Sequence, residues 1–147
     1  MRAWIRSLLV LALVLGSSLV PLHATGTVVV TTTTSDKGGT VARYDVAWTS
    51  TSLGAVSSNA FAVVSGTILQ VRFVPSATVA PSTLYDVTLV TAHSVDLLNG
   101  LGTDLSATAS LLVANVGVWL DESATLDVVV ANAGNAKAGT VSIWVRR

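Results

Sequence analysis

The sequence predicts an all-β protein: an antiparallel β-sandwich, or a barrel-like relative, of seven to eight strands preceded by a hydrophobic N-terminal helix. Three observations lead there. Val and Thr recur in short runs after Thr25, and β-branched side chains lose rotamer freedom in a helix but pack well on a pleated sheet. Several runs alternate apolar and polar residues with the period of two that a half-buried strand requires. Turn residues separate the runs at short, even intervals, with neither a βαβ rhythm nor a solenoid period.

The first element is a leader, residues 1–24. Arg2 and Arg6 form a basic start, Leu8 to Leu15 is an unbroken apolar run, Pro21 breaks the helix and Ala24 offers a small residue for cleavage. This reads as a secretory signal peptide. A retained anchor is the alternative, although the apolar stretch is short of the roughly 20 residues a spanning helix needs. A start codon placed too far upstream is the third reading. Without a cysteine the leader is not that of a lipoprotein.

Residues 25–147 then read as a single domain. Gly26 to Thr34 (GTVVVTTTT) is the first strand, and Ser35 to Gly39 (SDKGG) is a turn. Thr40 to Ser50 follows, with Tyr44, Val46 and Trp48 on one face and Arg43, Asp45 and Thr49 on the other. The two strands read as a hairpin. Thr51 to Asn59 is small and polar, a loop, and Phe61 to Val64 is a short strand. Thr67 to Pro75 places Leu69, Val71 and Phe73 inward and Gln70 and Arg72 outward, and prolines end it.

Leu84 to Ala92 alternates Tyr85, Val87 and Leu89 against Asp86, Thr88 and Val90, and His93 to Asp104 is a Gly-rich loop. Leu105 to Val113 reads equally as a short helix or a strand. Val116 to Leu120 is a short strand ended by Asp121-Glu122-Ser123. Ala124 to Asn132 and Thr140 to Arg147 are the last strands, joined by Ala133 to Gly139 (AGNAKAG).

Composition narrows the function. The chain is 51% hydrophobic and 11% charged, which argues against disorder. Formal net charge is zero, so solubility is weakly protected and a neighbouring subunit is expected to cover part of the surface. Losing Arg2 and Arg6 with the leader leaves a slight acidic surplus and no basic stripe, which speaks against nucleic acid. The absence of cysteine removes disulfides and thiolate metal sites together.

Residues able to do chemistry are few. His93 is the one histidine after Thr25. Ser94 beside it and Asp96 three residues on do not make a triad, and a loop histidine is the simpler reading. Asp96, Asn99 and Asp104 among glycines are oxygen ligands that suit Ca²⁺, but their spacing is not that of an EF-hand. Asp121 and Glu122, adjacent on the chain, make a poor acid/base couple. No catalytic residue, cofactor or metal site is therefore expected, and the protein is not read as an enzyme.

The sequence instead offers contact residues. If Val141, Ile143 and Val145 face inward, Trp144 faces outward beside Arg146, and such pairs are enriched in binding hot spots. Lys37 at the hairpin tip and Asn99, Gly100 and Thr103 in the Gly-rich loop are secondary candidates. Trp48 reads as core. Trp119 fits either part.

Three stretches resemble small structural proteins of tailed bacteriophages: TTTTSDKGGTVARYDVAW (31–48); FVPS, PSTLYDVTLV, VDLLNG and LGTDL within 73–105; and LDVVVANAGNAKAGTVSIWVR (126–146). The resemblance implies a β-rich virion component of the head-decoration or tail type. It would act as a homo-oligomer or against a shell or tail protein, located in the virion if the leader is never made. It brings no catalytic residues. The leader points the other way, to a secreted or periplasmic β-sandwich that binds a ligand such as a glycan, with no membrane contact once the leader is removed.

Overall fold

A β-branched run followed by a turn and an alternating strand settles the first hairpin. In the computed structural model, which describes residues 26–34, 38–58, 60–121 and 124–147, β1 (Thr27–Thr34) pairs antiparallel with β2 (Val41–Thr49) from Thr27 opposite Thr49 to Thr34 opposite Ala42. Ala42, Tyr44, Val46 and Trp48 are buried on the inner face of β2. The leader and residues 35–37 lie outside the described residues, and with them the expected N-terminal helix and Lys37.

The remaining strands are β3 (Val56–Ser57), β4 (Phe61–Ala62), β5 (Gly66–Pro75), β6 (Asp86–Thr91), β7 (Leu111–Ala114), β8 (Trp119–Leu120), β9 (Thr125–Ala131) and β10 (Ala138–Arg146). The described residues are thus all-β, with ten strands rather than seven to eight. The excess comes from short pieces. Two-residue β3 and β4 both pair with β9, and β7 and β8 both pair with β5. An edge broken by a turn is counted twice, and sequence runs this short carry no periodicity to reveal it.

Every pairing is antiparallel, in two sheets. The larger runs β1-β2-β10-β5-β7, with β8 also on β5. In the smaller one β9 is central, flanked by β6 on one side and by β3 and β4 on the other. The connector after β9 does not form a hairpin, because it carries the chain from one sheet to the other. Ser50, fully buried, holds that connector: its Oγ donates to the Gly134 carbonyl (2.6 Å) and accepts from Lys137 N–H (2.9 Å).

The inner faces share one core. Val46, Trp48, Phe73, Val141 and Ile143 from the larger sheet meet Tyr85, Val87, Leu89, Leu126, Val128 and Val130 from the smaller. Ring contacts span the two layers, Trp48 on Tyr85 at 5.8 Å and Tyr44 on Phe61 at 6.0 Å between centroids. Packing of this area against itself is the main stabilising term.

One inward assignment changes. Ile68, not Leu69, is buried with Val71 and Phe73. The register explains it: Trp144 lies opposite Gln70 while Val145 lies opposite Ile68, so Leu69 is the extra residue of a β-bulge. A bulge shifts the inward set by one place, which strict alternation cannot anticipate. The ambiguous 105–113 stretch contributes a lone bridge from Leu105 to Tyr85 and the start of β7, with no helix.

Candidate functional site

The site begins with a two-residue strand. In β8, Leu120 is buried and its neighbour must point the other way, so Trp119 stands 67% exposed. Segments from both sheets surround it. Thr91 ends β6 and Ala92 and His93 follow it, while Ala124 precedes Thr125, the first residue of β9. With Leu120 and Asp121 they line a groove of about 330 Å³ beside the indole. A second cleft, of about 460 Å³, lies between Trp119 and Val63, Val64, Ser65 and Arg147. Trp119 is therefore a ridge between two hollows.

Local hydrogen bonds fix the walls. Thr91 and Val95 are joined through Thr91 N–H to the Val95 carbonyl, Ser94 N–H donates to the Thr91 carbonyl, and His93 N–H donates to Thr91 Oγ1. That tight turn, with Ser94 at φ 59°, presents His93 to solvent. On the opposite wall Val63 N–H donates to the Ala124 carbonyl (3.2 Å). The groove thus offers an aromatic face, the Thr91 and Thr125 hydroxyls, an imidazole, and the Asp121 carboxylate.

A flatter surface covers the outer side of the larger sheet. Arg43 lies 5.1 Å above the Trp144 ring and also binds Asp45, which accepts a bond from Ser142 Oγ (2.5 Å). Trp144 is half-buried there, beside Gln70, Arg72, Ser110 and Leu112. The arginine that stacks on Trp144 is Arg43 from the neighbouring strand. Arg146, at the end of β10, is exposed.

Asn99, Gly100 and Thr103 sit in the loop after β6, in the region of the smaller sheet, and nothing joins them to Trp144. That loop is organised by Asp96. Its Oδ1 accepts Leu89 and Leu98 N–H, and its Oδ2 accepts Gly100 N–H. The Asp104 N–H donates to Asp86 Oδ1 (3.0 Å). No group of three acidic, histidine or cysteine side chains among the described residues is placed to hold a metal. The sequence left Trp119 open between core and contact. Its signal was a tryptophan next to a leucine in a run too short to be buried on both faces.

Among the described residues no helix is long and apolar enough to cross a membrane. No family model matches the chain, and no curated protein matches it. Among solved structures, the crystal structure of FlhE is similar, at 15% identity over 73% of this chain and 98% of that chain, with a TM-score of 0.41.

The virion function expected from the phage resemblance is corrected by these findings. The similar structure reported above is that of FlhE, not of a virion protein, and no family model matches the chain. The structure gives the physical reason those motifs misled. VDLLNG is a loop capped by the Asp96 carboxylate, and NAGNAK places Asn132, Gly134 and Ala136 at positive φ. Both are local ways to turn a chain, available to any β protein.

Proposed function

We propose that the chain is an exported, non-enzymatic β-sandwich module that binds carbohydrate at Trp119. The observation that carries this reading is the exposed indole standing between two clefts. An apolar sugar face stacks on an aromatic ring, while its hydroxyls need donors and acceptors around the rim. Thr91, His93, Asp121 and Thr125 are of that kind on one side, and Ser65 and Arg147 on the other. Clefts on both sides of the ring suit a chain of several sugars rather than a single one. The leader, with Arg2, Arg6 and its apolar run, supports export.

The test is titration of the purified protein with neutral hexasaccharides of glucose, xylose and N-acetylglucosamine, followed by calorimetry. One class should bind, and Trp119→Ala should weaken it by at least about ten-fold, the loss expected of an aromatic anchor. Trp144→Ala should leave that affinity unchanged. Failure of all three probes at millimolar concentration, or equal loss from both variants, refutes the reading.

A further inference from the structure

The edges of the two sheets are not treated alike. The free edge of β6 is covered by its own loop: Leu97 N–H donates to the Leu89 carbonyl, Val87 N–H to the Gly102 carbonyl, and Leu105 N–H to the Tyr85 carbonyl. The opposite edge of that sheet is broken into β3 and β4, two residues each. The far edge of the larger sheet is broken into β7 and β8, four and two residues, with Asn115 and Gly117 at positive φ between them. Capping and interruption are the usual ways of blunting an edge.

Among the described residues β1 has none of these devices. It runs eight residues without interruption, TVVVTTTT, with no charge and no proline. Among the described residues it pairs with β2 and nothing else. Val29 is 62% exposed on its outer face, and Val28 and Val30 are incompletely buried on its inner face. An unblunted edge is a template for another strand.

We propose that this edge is the contact between two copies of the chain, joined β1 to β1 in one continuous antiparallel sheet. Two properties select a second copy. The edge is neutral, so two copies meet without repulsion. Its inner face also leaves Val30 incompletely buried, and an identical strand paired about Val30 sets the two Val30 side chains against each other on that face. A two-fold axis normal to the sheet keeps the inner face inner, so opposed residues must share a face. With the axis at Val30, Val28 lies opposite Thr32 and Val29 opposite Thr31. With the axis at Thr31, Val29 lies opposite Thr33. A slip of one residue from either is excluded.

Sedimentation of the purified protein tests this. The wild-type protein should be a dimer. Val29→Lys with Thr31→Lys sets like charges against each other across the axis and should weaken the dimer by about a hundred-fold. Val29→Glu with Thr31→Glu should do the same, and an equimolar mixture of the two double variants should restore the dimer. Leu53→Lys, at a position 88% exposed elsewhere, should have no effect. In this cysteine-free chain, Val30→Cys or Thr31→Cys should oxidise to a cross-linked dimer. Thr27→Cys should not, because its two copies would lie roughly 20 Å apart along the strands. A monomeric wild-type protein, a persistent dimer in the folded lysine variant, or a mixture that stays monomeric overturns the proposal.

Discussion

Ser58→Ala should be far more damaging than the same change one residue earlier. Ser58 stands where β3 ends and β4 has not begun, and there the Val128 N–H of the central strand β9 is met by a side chain in place of a backbone carbonyl. The Ser58 N–H donates to the Val128 carbonyl (2.9 Å), its Oγ accepts Val128 N–H (2.7 Å), and the same hydroxyl donates to Asp127 Oδ1 (2.6 Å). Both Ser58, 3% exposed, and Val128, 1% exposed, are buried. Removing the hydroxyl strands a buried N–H, at about 1–3 kcal/mol, and a bond to a charged acceptor, at about 1.5–3 kcal/mol. The two share one oxygen, so about 3 kcal/mol is the expected sum. A domain of about 120 residues unfolds with an entropy near 0.25 kcal/mol/K, which gives a fall in Tm of about 12 °C. Ser57 also donates to Asp127, at 2.8 Å, but from an exposed position where water substitutes. Ser57→Ala should therefore cost under about 1 kcal/mol, or about 4 °C. Calorimetric melting of both variants decides it. A Ser58→Ala shift below about 4 °C, or equal shifts for the two, would refute the reasoning.

Two further outcomes follow from close packing and burial. A Cβ on Gly102 would sit 2.1 Å from the Val87 carbonyl oxygen, so Gly102→Ala must push the loop off the β6 edge. It should lower stability by about 2 kcal/mol or more and speed hydrogen exchange of the Val87 amide, readable by NMR. Burial raises the Tyr85 phenol from 10.0 to about 12. Between those values the unfolded chain loses the proton and the folded one keeps it, so stability is intact below pH 10 and falls as pH rises toward 12. Up to about 2–3 kcal/mol is at stake. Urea melts at pH 9 and 11 should show the loss, and Tyr85→Phe should flatten it.

Where a run was long enough to show its period, the fold was legible. The Tyr44, Val46 and Trp48 face and the β1–β2 hairpin followed from alternation. Leu69 did not, because the bulge falls between two adjacent apolar residues, Ile68 and Leu69, and alternation counted back from Phe73 and Val71 selects the wrong one. Ser58 was illegible for the opposite reason: it lies in a small polar stretch that composition assigns to a loop, while its contacts lie some 70 residues away in β9. The Trp119 groove combines residues 91–93, 119–121 and 124–125, so its existence depends on how two sheets meet at one end. Local pattern carries no such information. Trp144 faced outward as alternation requires, but its stacking partner, Arg43, is 101 positions away in sequence and adjacent only through the β2–β10 pairing.

That pairing also bears on how the protein comes into being. β10 is synthesised after every other described strand, yet it lies between β2 and β5 at the centre of the larger sheet. Until Ala138–Arg146 leaves the ribosome, the first hairpin and β5 have no strand to join them, and the apolar faces of both stay open to water. The larger sheet is thus held open by its own topology until then, and the contacts between β2 and β10 close loops of nearly a hundred residues, a slow step. The emergence of β10, the strand that joins both halves, is the event that lets the larger sheet close.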